Sequence, residues 1–421
     1  MNKRLIVSIL LVSVLGLAWW NFFSGPAQSN WTPAQRQLLE SLSLSALPKL
    51  PEDPSNDVAD LEAAAELGHR LYFDARLSSN GVVSCASCHK PELMFTDGLP
   101  LAIGVDIGSR HTPSLVGIAY SPWFYWDGRK DSQWAQALAP LEARHEHNID
   151  RLQIARLIFS DENYRQRYEA IFPALTEIPL DPVSASPRGN EAQQSAWDSL
   201  SSLQQENINR VFTNIGKSLA AYQRKIIPGR SRFDDYVDNI PASNATASEL
   251  FSASEVAGLA LFLEEAQCIT CHNGPLFTNY EFHNTGVLAV NGQLPPMGRY
   301  DGIRIAREDP FNCLGPYSDA SRSECIELRF ARDTNELVGA HKTPTLRNVT
   351  DTAPYMHGGQ IETLIEVMEH YNEAPVSMLS HNEAKPLGLR PVQLRQLEAF
   401  MHTLSAPLAS DPKWLTPPTD Q

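Results

Sequence analysis

The strongest constraint on this chain is a five-residue pattern that occurs twice, as "CASCH" at Cys85–His89 and "CITCH" at Cys268–His272. Two thiols three positions apart, followed at once by a histidine, suit covalent attachment of c-type haem. The thiols add to the two vinyl groups, and the neighbouring imidazole is held beneath the ring as an axial ligand. Zinc would ask for further ligands at short spacing, and a thioredoxin-like pair needs no histidine. The predicted cofactors are two haems c, with His89 on the first iron and His272 on the second. The two cysteines left over, Cys313 and Cys325, are expected to close a short loop as a disulfide. Such a loop closure contributes roughly 3 kcal/mol.

The N-terminus agrees with export. "MNKRLIVSILLVSVLGLAWWNFFSGPAQS" carries Lys3 and Arg4 ahead of an apolar run from Leu5 to Phe23. Residues 1–28 read as a signal peptide or as a single N-terminal membrane anchor, and both readings stay open. The body is expected in the periplasm. At 421 residues and 43% hydrophobic, the chain can bury two or three cores of ordinary size. A net charge of −15 argues against non-specific nucleic-acid binding, which wants a basic face.

The sequences around the two motifs repeat. "AELGHRLYFDARLSSNGVVSCASCHKPELMFTDG" parallels "SEVAGLALFLEEAQCITCHNGPLFTNYEFHNTG", matching Gly68 and Leu71 with Gly258 and Leu261, and Phe95-Thr96 with Phe277-Thr278. Farther on, Thr112-Pro113 matches Thr343-Pro344, and Trp126-Asp127-Gly128 matches Met356-His357-Gly358. A period of about half the chain predicts a duplicated domain rather than a solenoid. The expected fold is mainly α, with two cytochrome c-like haem domains related by internal duplication. Residues 29–200 would hold the first haem and residues 201–421 the second. "PLDPVSASPRGNEAQQSAWDS" reads as a surface segment between them. The pattern Ile208, Val211, Phe212, Ile215, Leu219, Tyr222, Ile226 then predicts a helix closed by Pro228-Gly229.

Aligning Asp127 with His357 gives an offset of 230, which sets Pro140-Leu141 opposite His370-Tyr371. The second half therefore offers ligand-type residues on a helix where the first offers Pro and Leu, neither of which binds iron. The first haem is expected to be open at its sixth position and the second closed. On the closing helix, Ile361, Leu364, Ile365, Met368 and Tyr371 share one face, while His370 points away. Met368 and Tyr371 are both candidates, and closure by another group with both in the core is the alternative.

These residues resemble the bacterial di-haem cytochrome c peroxidase superfamily, and within it the MauG-like enzymes, over roughly residues 57 to 403. The motifs are the two attachment sites, "TPSL…WDGR", "EFHNTG", "TPTLRN" and "APYMHGG". The segment "NCLGPYSDASRSECIELRF" is similar to an MbnH-like subgroup. The resemblance implies a distal pocket on the first haem made by Gln136, Pro140 and Glu146, with Trp126 between the haems. A carboxylate there can take a peroxide proton and return it, and an amide can orient the bound oxygen. Standard peroxidases place a histidine ligand in the loop after the first motif, and "KPELMFTDGLPLAIGVDIGS" has none. Counting fourteen residues from His357 lands on Tyr371, the distal ligand of the second haem in MauG-like enzymes. His283 and His357 are expected as neighbours of that haem. The family's calcium between the domains would use the backbone carbonyls of Thr352 and Pro354. His111 stands where its asparagine ligand would be, and calcium prefers oxygen. Some MauG-type enzymes exchange electrons with substrate through a tryptophan just before the second motif. Here that position is Ala266.

The expected activity is a peroxide-dependent di-haem oxidase acting on aromatic side chains, tryptophan above all, of a periplasmic partner protein. The alternative is a peroxidase reducing hydrogen peroxide with electrons from a small cytochrome or cupredoxin. The missing loop histidine and Tyr371 favour the first, and the open first haem argues against a pure electron carrier. His69, His341, His381 and His402 are assigned no role.

Overall fold

Two helix crossings organise the chain. Glu62–Phe73 packs on Ser202–Gln223, and Ala253–Leu263 packs on Pro391–Met401. Each crossing is made close by a glycine. A methyl on Gly68 would lie 1.9 Å from the Ser218 carbonyl oxygen, and one on Gly258 1.8 Å from that of Gln396. Only a residue without Cβ lets these backbones touch. The helices start where their sequences say they should: Ser201 with Gln204, Ser252 with Glu255, and Thr363 with Glu366 form reciprocal caps.

This computed structural model describes residues 31–174, 178–240 and 249–419, so the predicted leader lies outside the described residues. The chain is mainly helical, 45% helix against 4% strand. One short antiparallel pair, β1 (Phe282–His283) and β2 (His341–Lys342), is the sheet among the described residues. No described helix is long and apolar enough to cross a membrane.

Two large cores form, and packing redraws the boundary between them. The helix Ser202–Gln223, assigned on sequence to the second half, buries Ile208, Val211, Phe212, Ile215 and Leu219 in the first core with Leu71 and Trp134. Its apolar face was read correctly; its partner was not, because periodicity gives a face and no address. The segment read as a surface linker also folds onto the first core, through Ala185 and Trp197. The Ser184 and Ser186 hydroxyls donate to Asp150 and Glu142 at 2.6 and 2.7 Å. Conversely, Trp31, Leu39 and Leu42 from the helix Pro33–Leu42 and its approach join the second core with Phe233, Phe277 and Phe400. The predicted disulfide Cys313–Cys325 is formed.

One buried pair ties that N-terminal helix down. Arg347 Nη1 lies 2.6 Å from Asp234, and its Nη2 donates to Asp234 and to the Leu42 carbonyl at 2.9 and 3.0 Å. Burial alone would raise the Asp234 carboxyl, but the Arg347 guanidinium holds it below the usual carboxylate value. The stabilisation is present above the unfolded carboxylate pKa and is lost as pH falls through the lowered folded value. Arg347→Met leaves a buried carboxylate unpaired and is expected to cost about 3–5 kcal/mol in urea unfolding at pH 7. Below the carboxylate range the gap between variant and parent should narrow.

Local geometry recurs at a constant spacing of 231. The helices Gln133–Glu142 and Leu364–Glu373 obey it, as do the bridges Phe124–Lys130 and Tyr355–Ile361. Tyr125 and Met356 have φ of 69° and 71°, and Gly128 and Gly359 66° and 61°. The sequence register of 230 is thus corrected by one residue. Trp126, not Asp127, is equivalent to His357, and Pro140 is equivalent to Tyr371.

Candidate haem sites

The first CxxCH opens on a cavity. Cys85, Cys88 and His89 line it from one side, and Gln136, Pro140 and Glu146 also line it. His89 Nδ1 lies 2.9 Å from the Phe95 carbonyl oxygen. Donation there fixes the tautomer and leaves Nε2 with its lone pair free for iron. The Tyr72 hydroxyl holds the backbone by donating to the His89 carbonyl.

Pro140 interrupts its own helix at the cavity wall. It sits inside the helix Gln133–Glu142 and has no N–H for the Gln136 carbonyl one turn back. The Tyr125 hydroxyl takes that carbonyl instead, at 3.4 Å. The Gln136 side-chain oxygen is buried with no partner. A buried amide oxygen left so is costly unless a ligand answers it, which fits a pocket built for a bound group.

Glu146 is held by the loop that lacks histidine. Val105 N–H donates to its carbonyl at 2.8 Å, and Asp106 N–H to that of His145 at 3.1 Å. Gly104 permits this contact, since a Cβ there would lie 2.6 Å from the Glu146 oxygen. Burial lifts the Glu146 carboxyl above its ordinary value, while Arg129 and His145 draw it down. Sequence reasoning passed over His147, which also lines the cavity. Its Nδ1 bonds the Leu77 carbonyl at 2.8 Å and its Nε2 lies 3.9 Å from Cys85 Sγ, so both nitrogens are occupied at the cavity edge. Nothing in "RHEHN" distinguishes it from its neighbours; only the fold does.

At the second motif, His272 repeats the arrangement of His89. Its Nδ1 is 2.9 Å from the Phe277 carbonyl oxygen, and burial lowers its pKa to about 4, leaving it neutral. The closing helix separates its candidates. Met368 is buried in the second core with Leu364, Leu394 and Leu397. Tyr371 sits outside that cluster, where it feels the sulfurs of Cys268 and Cys271. Burial pushes its phenol up to about 12, and a bound ferric ion would invert that preference. His370 Nε2 lies 2.9 Å from the Thr285 carbonyl oxygen, a second contact rather than a ligand position. His283 reaches Cys271 and lies 2.7 Å from Glu383, and those two partners raise its pKa to about 9 against the cost of burial. Ala266 is buried, with no aromatic at that place.

Trp126 lies where the halves meet. Its indole N–H donates to the His111 carbonyl at 3.1 Å, and its own carbonyl accepts from the Lys342 N–H on β2 at 2.7 Å. His357 stacks on His341, ring centroids 3.9 Å apart, and burial lowers the pair to about 2 and 4, keeping both rings neutral. His357 also accepts the His111 N–H at its carbonyl, 3.1 Å away. His341, without assigned role on sequence, is its partner.

Residues 62–241 match the family described as di-haem cytochrome c peroxidase. Cytochrome-c peroxidase IdrP1 of Denitromonas iodatirespirans is 30% identical over 373 residues, 86% of each chain. The chain belongs to the di-haem cytochrome c peroxidase family. As a di-haem peroxidase it is an oxidoreductase acting with peroxide, and the family implies two haems c. The methylamine utilization protein MauG of Methylorubrum extorquens is 28% identical over 386 residues, covering 91% of this chain and 89% of that one. The crystal structure of a MauG-like protein associated with microbial copper homeostasis shares the fold, with a TM-score of 0.61 at 24% identity. It covers 88% of this di-haem peroxidase and 98% of that chain.

The residues present fit two haems. Each motif pairs thiols with a histidine whose Nδ1 is committed to a backbone carbonyl, and the first adds a cavity with an unanswered amide oxygen.

Proposed function

We propose that this exported di-haem peroxidase withdraws electrons from aromatic side chains, chiefly tryptophan, of a periplasmic partner protein, using hydrogen peroxide as oxidant. The observation that carries the reading is Tyr371, within electrostatic reach of Cys268 and Cys271 and outside the core cluster that holds Met368. An anionic phenolate favours oxidised iron more than a thioether does, so the second haem would store oxidising power rather than pass electrons inward.

When bound, the haems supply the redox couples, the first meeting peroxide and the second sharing the oxidising equivalents. His89 would hold the first haem and His272 the second, with Tyr371 as the further residue able to bind the second. Pro140 keeps the first face clear, Gln136 orients the peroxide, and Glu146 takes its proton and returns it to the departing oxygen. Two electrons and two further protons complete the reduction of peroxide to two waters. The electrons come from the partner by way of Trp126, which its two backbone hydrogen bonds hold at the junction. The matched geometry at a spacing of 231 supports descent of both halves from one duplicated haem domain, the first open and the second closed.

Peroxide added to the fully oxidised holoenzyme without a donor tests the reading. The expected result is a long-lived spectral state from which a reductant titration recovers two equivalents. Turnover that requires prior half-reduction by a small cytochrome or cupredoxin, with no such state, would sink it in favour of the peroxidase alternative.

A further inference from the structure

Position 111 is where the family's interdomain calcium would find a side-chain oxygen, and the surroundings of His111 do not suit that ion. The ring is buried, 4% exposed. Its Nδ1 lies 2.8 Å from the Leu99 carbonyl oxygen, and the Thr352 carbonyl, one of the two expected calcium ligands, is near enough to favour the ring's charged form. Calcium needs about six to eight oxygens, and an imidazole standing in place of an asparagine supplies none. The nearby Asp97 accepts from the Thr112 hydroxyl at 2.9 Å and from the Leu99 N–H at 3.1 Å. Among the described residues no group of three His, Cys, Asp or Glu side chains gathers to hold a metal.

The segments are already in contact without an ion. A Cβ on Gly359 would lie 2.4 Å from Pro100 Cα, and the His111 N–H donates to the His357 carbonyl at 3.1 Å. Leu99 belongs to the loop after the first motif, whereas Thr352 and His357 belong to the second half. One planar ring with two nitrogens spans that gap.

We propose that the His111 side chain replaces calcium as the clasp between the haem-bearing halves, and that this protein holds no calcium there. The inference rests on the family assignment and the junction geometry, not on the oxidase reading, so either can fail alone. Metal analysis of the holoenzyme, purified without chelator, is expected to find substoichiometric calcium. Excess EGTA should leave the haem spectra and the melting temperature unchanged. One calcium per chain, or a melting temperature that EGTA lowers, overturns the proposal. His111→Ala is expected to melt about 3 °C or more below the parent, and millimolar calcium should not restore it. An unchanged melting temperature, or recovery with calcium, also overturns it. Should the variant not fold, the parent's calcium content and EGTA response decide.

Discussion

Tyr371→Phe is expected to convert the second haem from low-spin to high-spin in the ferric EPR spectrum. The parent should show one high-spin and one low-spin signal; the variant should show two high-spin signals. The reason is local: Tyr371 is the ligand-type side chain of its helix that lies within electrostatic reach of Cys268 and Cys271. Met368, three residues earlier, is held in the core by Leu364, Leu394 and Leu397. Tyr371→Met should keep six-coordination and raise the second haem's potential by on the order of 100 mV, within the roughly 0.8 V that axial ligands command. That variant should lose the long-lived oxidised state and turn over better with a reduced cytochrome. An unchanged second-haem spectrum in Tyr371→Phe would remove the basis of the oxidase reading.

Glu146→Gln is the second large effect. The amide preserves size and the backbone bond from Val105, yet it can no longer take and return a proton. Peroxide-driven formation of the oxidised state should slow by about 10²- to 10⁴-fold, the usual contribution of a positioned acid–base group. Resting spectra should stay the same, because the residue binds no iron. A rate within a factor of a few of the parent's would assign the proton transfer to another group or to water. Burial lifts the carboxyl above its ordinary value, with Arg129 and His145 limiting the rise.

How far the sequence reached depended on the kind of information each residue carries. The attachment motifs are covalent chemistry, so spacing alone fixed Cys85, Cys88, His89, Cys268, Cys271 and His272 as candidates. Gly68 and Gly258 were visible as repeats, and the structure adds why: each marks a backbone contact under 2 Å for any Cβ. The register was off by one because an alignment anchored on Gly128 and Gly358 reads letters. The positive φ at Tyr125, Met356 and Gly359 reveals which residues make the same turn. That single step sets Pro140, which cannot bind iron, opposite Tyr371, which can.

His147, His341 and the clasp at His111 were not legible for a different reason. Each acts through partners distant in sequence: Leu77 and Cys85 for His147, His357 for His341, and Thr352 for His111. A lone histidine in a loop carries no mark of what it will meet. The helix Ser202–Gln223 teaches the same lesson about domains, since its apolar face could have been buried against either core.

By itself, the sequence determined the covalent haem chemistry, the helical character, the disulfide and the apolar face of the helix Ser202–Gln223, because these follow from residue type and local spacing. The tertiary structure alone decided which core each helix joins, which of Met368 and Tyr371 is spent on packing, and what His111 clasps. Those outcomes depend on long-range contacts, and such contacts form only when the whole chain has folded.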